Sequence, residues 1–259
     1  MNDSIKPAFS AFSAVLTGLL IAVPASADYS NDFASQSDAD FTRYSPLAGF
    51  GAGGVFTFPS GSGYRIGALA SPAPSALGPA RAAAFITGQT FGDFTVSYTI
   101  RDYSTASPQF LGVFSRVSTP GLGTLNGYAM GLDTSTGQIF ISRVQGEASQ
   151  GPISPSAVSS TLSLVPSQTY SLSFSAVGPA FNGSIADSAG TVLATISGVD
   201  GAYAVGQLGL GVAAQSLAAG ATAGATFGSL QVAAVPEPST WALGTVGLAT
   251  LGWMARRRR

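Results

Sequence analysis

Between residues 28 and 235 apolar and polar positions alternate with a period of two, and the 3.6-residue period of an amphipathic helix is nearly absent. From Asp93 to Asp102, Phe94, Val96, Tyr98 and Ile100 fall on one side and Thr95, Ser97, Thr99 and Arg101 on the other, which predicts a half-buried strand. The same reading predicts strands at Phe110 to Val117, Gly127 to Asp133, Gln138 to Val144, Tyr170 to Val177, Phe181 to Asp187, Thr191 to Ser197, Gln207 to Ala213 and Ala225 to Val232. Turn chemistry separates them, as in Asp133-Thr134-Ser135-Thr136-Gly137, Gly178-Pro179 and Asp187-Ser188-Ala189-Gly190. Strands joined by short loops with no helices between them predict an all-β fold, an antiparallel two-sheet β-sandwich.

The pattern is weaker before residue 90. Gly49 to Gly54 and the Pro- and Ala-rich stretch Ala68 to Ala80 read as long loops around short strands at Val55 to Phe58 and Tyr64 to Ile66.

Two apolar runs interrupt the alternation at the ends. Lys6 precedes the run Ala8 to Val23, and Ala25-Ser26-Ala27 supplies the small residues that a signal peptidase reads, so residues 1–27 are expected to be a signal peptide cut between Ala27 and Asp28. At the other end Val235-Pro236-Glu237-Pro238 leads into the run Ser239 to Ala255, followed by Arg256, Arg257, Arg258 and Arg259. At about 1.5 Å per residue that run would cover roughly 26 Å as a helix, enough for a single transmembrane span. The arginines would hold its end on the cytoplasmic side and leave residues 28–235 outside, with Trp241 and Trp253 suited to the two interfaces.

Composition then narrows the chemistry. Residues 28–235 contain no cysteine, histidine or lysine. Their acids are Asp28, Asp32, Asp38, Asp40, Asp93, Asp102, Asp133, Glu147, Asp187 and Asp200, against Arg43, Arg65, Arg81, Arg101, Arg116 and Arg143, so this part is mildly acidic. With no basic face to neutralise phosphates, a nucleic-acid partner is excluded. Without His and Cys there is no Ser-His-Asp or Cys-His nucleophile, no zinc site of ordinary ligands and no disulfide, so the fold must rest on its apolar core.

Glycoside hydrolysis needs two carboxyl groups flanking one bond. Glu147 is the lone glutamate between the two end segments, in the loop-like setting Gln145-Gly146-Glu147-Ala148, and reads as a solvated surface group. Asp93 and Asp102 bracket one strand and stand about 30 Å apart at roughly 3.3 Å per residue, too far to share a bond. No catalytic residue is expected. Binding is better served: Arg116 in an otherwise apolar strand, with Asn126 and Tyr128 flanking Gly127, offers guanidinium, amide and phenol groups that suit sugar hydroxyls and sugar faces. The same three residues have a plainer reading, in which Arg116 pairs with an acid at a sheet edge, Asn126-Gly127 makes a turn and Tyr128 fills the core. Oxygens of Asp133, Asn126 and Asp187 lack a recognisable calcium-loop spacing, and no metal or cofactor is expected.

Two resemblances bear on these readings. The order Val-Pro-Glu-Pro-Ser, apolar run and arginine cluster resembles the PEP-CTERM sorting signal of Gram-negative bacteria that make exopolysaccharide. It implies an exosortase as processing partner, cutting around Pro236, Glu237 and Pro238. From Phe91 onward, Phe91-Gly92-Asp93-Phe94-Thr95-Val96, Leu111-Gly112-Val113-Phe114-Ser115-Arg116, Asn126-Gly127-Tyr128 and Asp200 to Leu210 resemble the concanavalin-A-like, laminin-G-type jelly rolls, with Ala225 to Val232 similar to their closing edge strand. Many such domains bind glycans on a concave sheet face, and their hydrolases use Glu-x-Asp-x-x-Glu, a motif this chain lacks. The combined expectation is an exported, non-enzymatic protein of the cell surface or extracellular matrix that binds carbohydrate weakly. A structural or adhesive matrix protein is the alternative, and a glycan-cleaving enzyme is the least favoured.

Overall fold

The computed structural model describes residues 28–235 apart from 60–62, 104 and 106. The expected signal peptide, Ala27 of its cleavage pair, and the tail residues Pro236, Glu237, Pro238 and Arg256 to Arg259 lie outside the described residues.

The strands in chain order are β1 (Tyr29–Asn31), β2 (Phe41–Tyr44), β3 (Gly54–Thr57), β4 (Tyr64–Leu69), β5 (Ala80–Ile86), β6 (Phe94–Arg101), β7 (Gln109–Val117) and β8 (Gly127–Asp133). They continue with β9 (Gln138–Gln145), β10 (Ala148–Pro152), β11 (Tyr170–Val177), β12 (Ala180–Ala186), β13 (Val192–Val199), β14 (Gln207–Ala214) and β15 (Thr222–Ala234). One sheet runs β13-β12-β11-β6-β15-β4-β3, with β1 also on β15; the other runs β10-β9-β8-β7-β14-β5-β2. Neighbours throughout both sheets are antiparallel, so the expected two-sheet sandwich is the observed architecture.

The period-two pattern positions the core. Phe94, Val96, Tyr98 and Ile100 of β6 are buried, and they meet Leu111, Val113, Tyr128, Met130, Leu132, Ile139 and Ile141 of the facing sheet in one cluster. Tyr98 stacks on Phe174 at 6.4 Å and donates its hydroxyl to the Met130 carbonyl across the sandwich at 3.3 Å. On the outer face of this sheet the alternate positions Thr95, Ser97, Ser173, Ser175, Asn182 and Ser184 carry hydroxyls and amides in register across β6, β11 and β12.

The sequence reading departs from the fold at three places. Ala80–Ile86, where a loop to Ala80 and no strand was expected, is the internal strand β5, buried at all seven positions. Covered on both faces, it has no polar side to alternate with, and its alanines give little β signal. The loop between β4 and β5 shrinks to residues 70–79 and holds a single helical turn, Pro74–Leu77. The short strands β1, β2 and β10 were also not anticipated. Finally, the last strand is not a closing edge: β15 lies inside its sheet, with β6 on one side and β4 then β1 on the other. The N-terminal strands add beyond it, and Asp28 accepts the amide of Ala234 at 3.0 Å, so the two ends of the domain meet.

Candidate functional site

The outer face of the seven-stranded sheet is where apolar side chains appear on the side opposite the core. β7 places Leu111 and Val113 inward and Phe110 and Phe114 outward; β9 places Ile139 and Ile141 inward and Phe140 outward. One register row crosses the sheet as Tyr44, Ala83, Gly211, Gly112, Gly131 and Phe140. Between its two aromatic ends this row bears nothing larger than a methyl, so the floor is low and the neighbouring rings lean over it. A Cβ at Gly211 would come within 2.5 Å of the Phe114 ring, and one at Gly209 within 2.8 Å of Phe85. The rings form a continuous file: Tyr44 to Phe85 at 6.0 Å, Phe85 to Phe114 at 6.5 Å, Phe114 to Phe110 at 5.2 Å and Phe110 to Phe140 at 5.6 Å. The cleft above Phe110, Phe114 and Phe140 encloses about 230 Å³. That is smaller than the roughly 300–1,000 Å³ of an enclosed ligand pocket and suits a groove that grips one side of a ligand.

Part of the face is closed over. Gly146 and Glu147, both left-handed at φ 57° and 67°, make the two-residue turn between β9 and β10. The turn brings Glu147 across to Arg81 of β5, where the guanidinium meets the carboxylate at 2.6 and 2.7 Å. The remaining Arg81 bonds go to the carbonyls of Leu77 and Pro79, while Tyr44 and the amide of Gly123 donate to Glu147. Both ion-pair side chains are buried, and beneath this bridge Tyr44, Phe85, Leu125, Ala129 and Val144 form a second apolar cluster. Burial pushes the Glu147 carboxyl upward, but the bonds from Arg81, Tyr44 and Gly123 outweigh it and hold the group below its ordinary value. The Tyr44 phenol is driven well up by burial and by the carboxylate beside it. Glu147 is therefore not the solvated surface group expected: it is the anion of a buried, bidentate pair.

Arg116, Asn126 and Tyr128 do not line a groove together. Arg116 is 1% exposed, at a bulge in β7 with φ 48°. Its guanidinium donates to the carbonyls of Gly92 at 3.0 Å, Gly178 at 2.7 Å and Tyr203 at 3.2 Å, pairs with Asp93 at 3.4 Å and sits over the Phe181 ring. Tyr128 is fully buried in the core; its hydroxyl bonds Asp200 at 2.8 Å, and burial pushes its pKa up to about 12. Both residues clamp one end of the sandwich, so the expectation that they contact a ligand is corrected. A side chain flanked by core residues is held by the core. Asn126 does something else: its side-chain Oδ1 accepts the amide of Gly146 at 2.8 Å and thereby steadies the turn that carries Glu147.

The groove offers flat apolar rings with hydroxyls at its margin, the exposed Ser149 bonded to the buried Ser142 at 2.7 Å, whereas Gln109 turns inward to accept the Gly224 amide of the other sheet at 2.9 Å. It offers little for acid–base chemistry. Both oxygens of Glu147 are engaged, and Asp133, the other carboxylate at its rim, accepts Ser135 through its amide at 2.8 Å and hydroxyl at 2.6 Å. Phe110, Phe114 and Phe140 were not among the expected site residues, although strands apolar on both faces mark them.

Comparison with protein families matches residues 234–259 to the PEP-CTERM protein-sorting motif, beginning at the last residue of β15. The motif marks an exported protein sorted to the cell surface by an exosortase. No curated protein sequence matches the chain. Among solved structures it is similar to a prokaryotic β-1,3-1,4-glucanase (lichenase) derived from a mouse hindgut metagenome, at 10% identity and TM-score 0.54, covering 80% of this chain and 99% of that one. It is also similar to the winged bean acidic lectin complexed with methyl-α-D-galactose, at 12% identity and TM-score 0.52, covering 80% and 98%. The lectin UEA-II complexed with galactose gives 10% identity and TM-score 0.52, covering 80% and 97%. The fold is thus the concanavalin-A-like sandwich of the legume lectins.

Proposed function

We propose that this protein binds carbohydrate at the cell surface or in the extracellular matrix, without cleaving it, through the aromatic groove of the seven-stranded sheet. The observation that carries this reading is the file of half-buried Phe110, Phe114 and Phe140 over a glycine floor. Ring faces accept the C–H edges of a pyranose, while the exposed Ser149 hydroxyl at the margin suits its hydroxyls. With Glu147 fully paired the groove lacks a free acid–base couple, which favours binding of a neutral glycan over hydrolysis. Residues 28–235 are the binding domain in this reading, 1–27 the signal peptide, and 236–259 the segment that holds the chain in the membrane until an exosortase cuts near Pro236 to Pro238.

Polysaccharide pull-down with the protein and its Phe110→Ala and Phe140→Ala variants tests it. Each truncation is expected to weaken retention about tenfold, equivalent to ~1.4 kcal/mol, with circular dichroism unchanged. Equal retention by the variants and the parent would reject the groove. Glu237→Ala is expected to slow processing of the tail while leaving membrane insertion intact, read as accumulation of the uncut chain.

A further inference from the structure

The domain ends abruptly. β15 runs to Ala234, whose register partner is Phe94, and Val235 still donates to the carbonyl of Asp93 at 3.0 Å. The apolar run starts at Ser239. Four Cα steps, even fully extended, cover no more than about 14 Å. A headgroup layer alone takes up roughly 5–7 Å per leaflet. If Ser239 stands at the hydrocarbon boundary, the end of the sandwich from which β15 emerges has no room to stand clear of the membrane.

That end is built for such proximity. The register row Ala234, Phe94, Ala176, Phe181 and Gly198 is followed by a terminal row, Val177, Ala180 and Val199. Val177 is 38% and Val199 68% exposed, and Val205, just before the Phe91–Gly206 bridge, is 58% exposed. The acids nearby are all engaged: Asp93 with Arg116 and the Gly178 amide, Asp200 with Arg143 and Tyr128, and Asp28 with the Ala234 amide. Anionic lipid headgroups would meet apolar tips there, with Asp93 and Asp200 charge-paired to Arg116 and Arg143 and Asp28 keeping its charge at the margin.

We infer that, before the tail is cut, this end of the sandwich rests in the headgroup layer of the bilayer through Val177, Val199 and Val205, so that the domain is docked on the membrane and does not swing from a tether. The inference rests on the reading of residues 239–255 as a membrane span. It makes processing a double release, from the span and from the surface.

The chain contains no cysteine, so a single introduced thiol reports one position. Val199→Cys and Val192→Cys lie at opposite ends of β13, about 23 Å apart at roughly 3.3 Å per residue, and Val192 is exposed to a similar extent at 58%. Each full-length variant, labelled with an environment-sensitive fluorophore, is reconstituted into phosphatidylethanolamine–phosphatidylglycerol vesicles containing headgroup spin-labelled lipid. The label at position 199 is expected to be strongly quenched and blue-shifted and that at 192 unaffected, with the difference lost in chains truncated after Val235. Protein that floats with the vesicles but shows equal quenching at both positions overturns the docking. Protein that fails to float overturns the anchoring reading and the docking with it.

Discussion

The fates of Arg116 and Glu147 show what single residues in this chain reveal. Both are charged side chains in apolar surroundings, and each proves to be held by a set of partners drawn from distant parts of the sequence. Removing one member of a buried pair strands the other, so Arg81→Met or Glu147→Gln is expected to cost about 3 to 5 kcal/mol, measured by urea unfolding. Because the folded state holds the Glu147 carboxyl below the ~4.3 of an unfolded glutamate, its contribution is complete above about pH 5 and disappears as pH falls through the folded value. Stability of the parent is expected to fall more steeply below pH 4 than that of Glu147→Gln. Tyr128→Phe removes the hydroxyl that bonds Asp200 and is expected to cost about 1 to 3 kcal/mol while leaving polysaccharide retention unchanged. Sequence spacing flagged Arg116 and Tyr128 as unusual, but it had no means of telling a ligand from a backbone carbonyl as the partner of a guanidinium.

Strands were legible where one face is wet. The regular alternation of β6 and β11 identified their inward residues, whereas β5, enclosed on both sides, left no trace that periodicity detects. The outward rings of β7 and β9 were hidden for a related reason: an apolar residue in an apolar strand carries no label of the side it faces. The glycines of β14 are what give those rings room. Gly211→Val is therefore expected to displace Phe114, lowering stability by about 1 to 3 kcal/mol and retention with it, as thermal melts and pull-downs on the same sample will show. Tyr98→Ala, which opens a hole between the sheets without touching the groove, is expected to cost about 3 to 5 kcal/mol in urea unfolding.

For the molecule as a whole, the tail and the fold were legible to different degrees. The PEP-CTERM motif is local and matched as a unit, while the position of β15 depends on its pairing with β1 at the opposite end of the domain, a pairing that spacing does not disclose. Deleting Asp28 to Asn31 is expected to lower the melting temperature by several degrees, because Val232, Gln231 and Leu230 lose their partners in β1. Cleavage after Val235 is expected to leave it unchanged. The same pairing sets how the molecule meets force. If the tail anchors the chain and the far sheet grips a glycan, as proposed, tension enters along the axis of β15, whose hydrogen bonds to β6, β4 and β1 lie across the direction of pull. Rows loaded in that way must shear together, whereas a hairpin drawn from its open end unzips one bond at a time. With that anchor, the interior position of the last strand gives the domain a grip that resists drag where the tail leaves it.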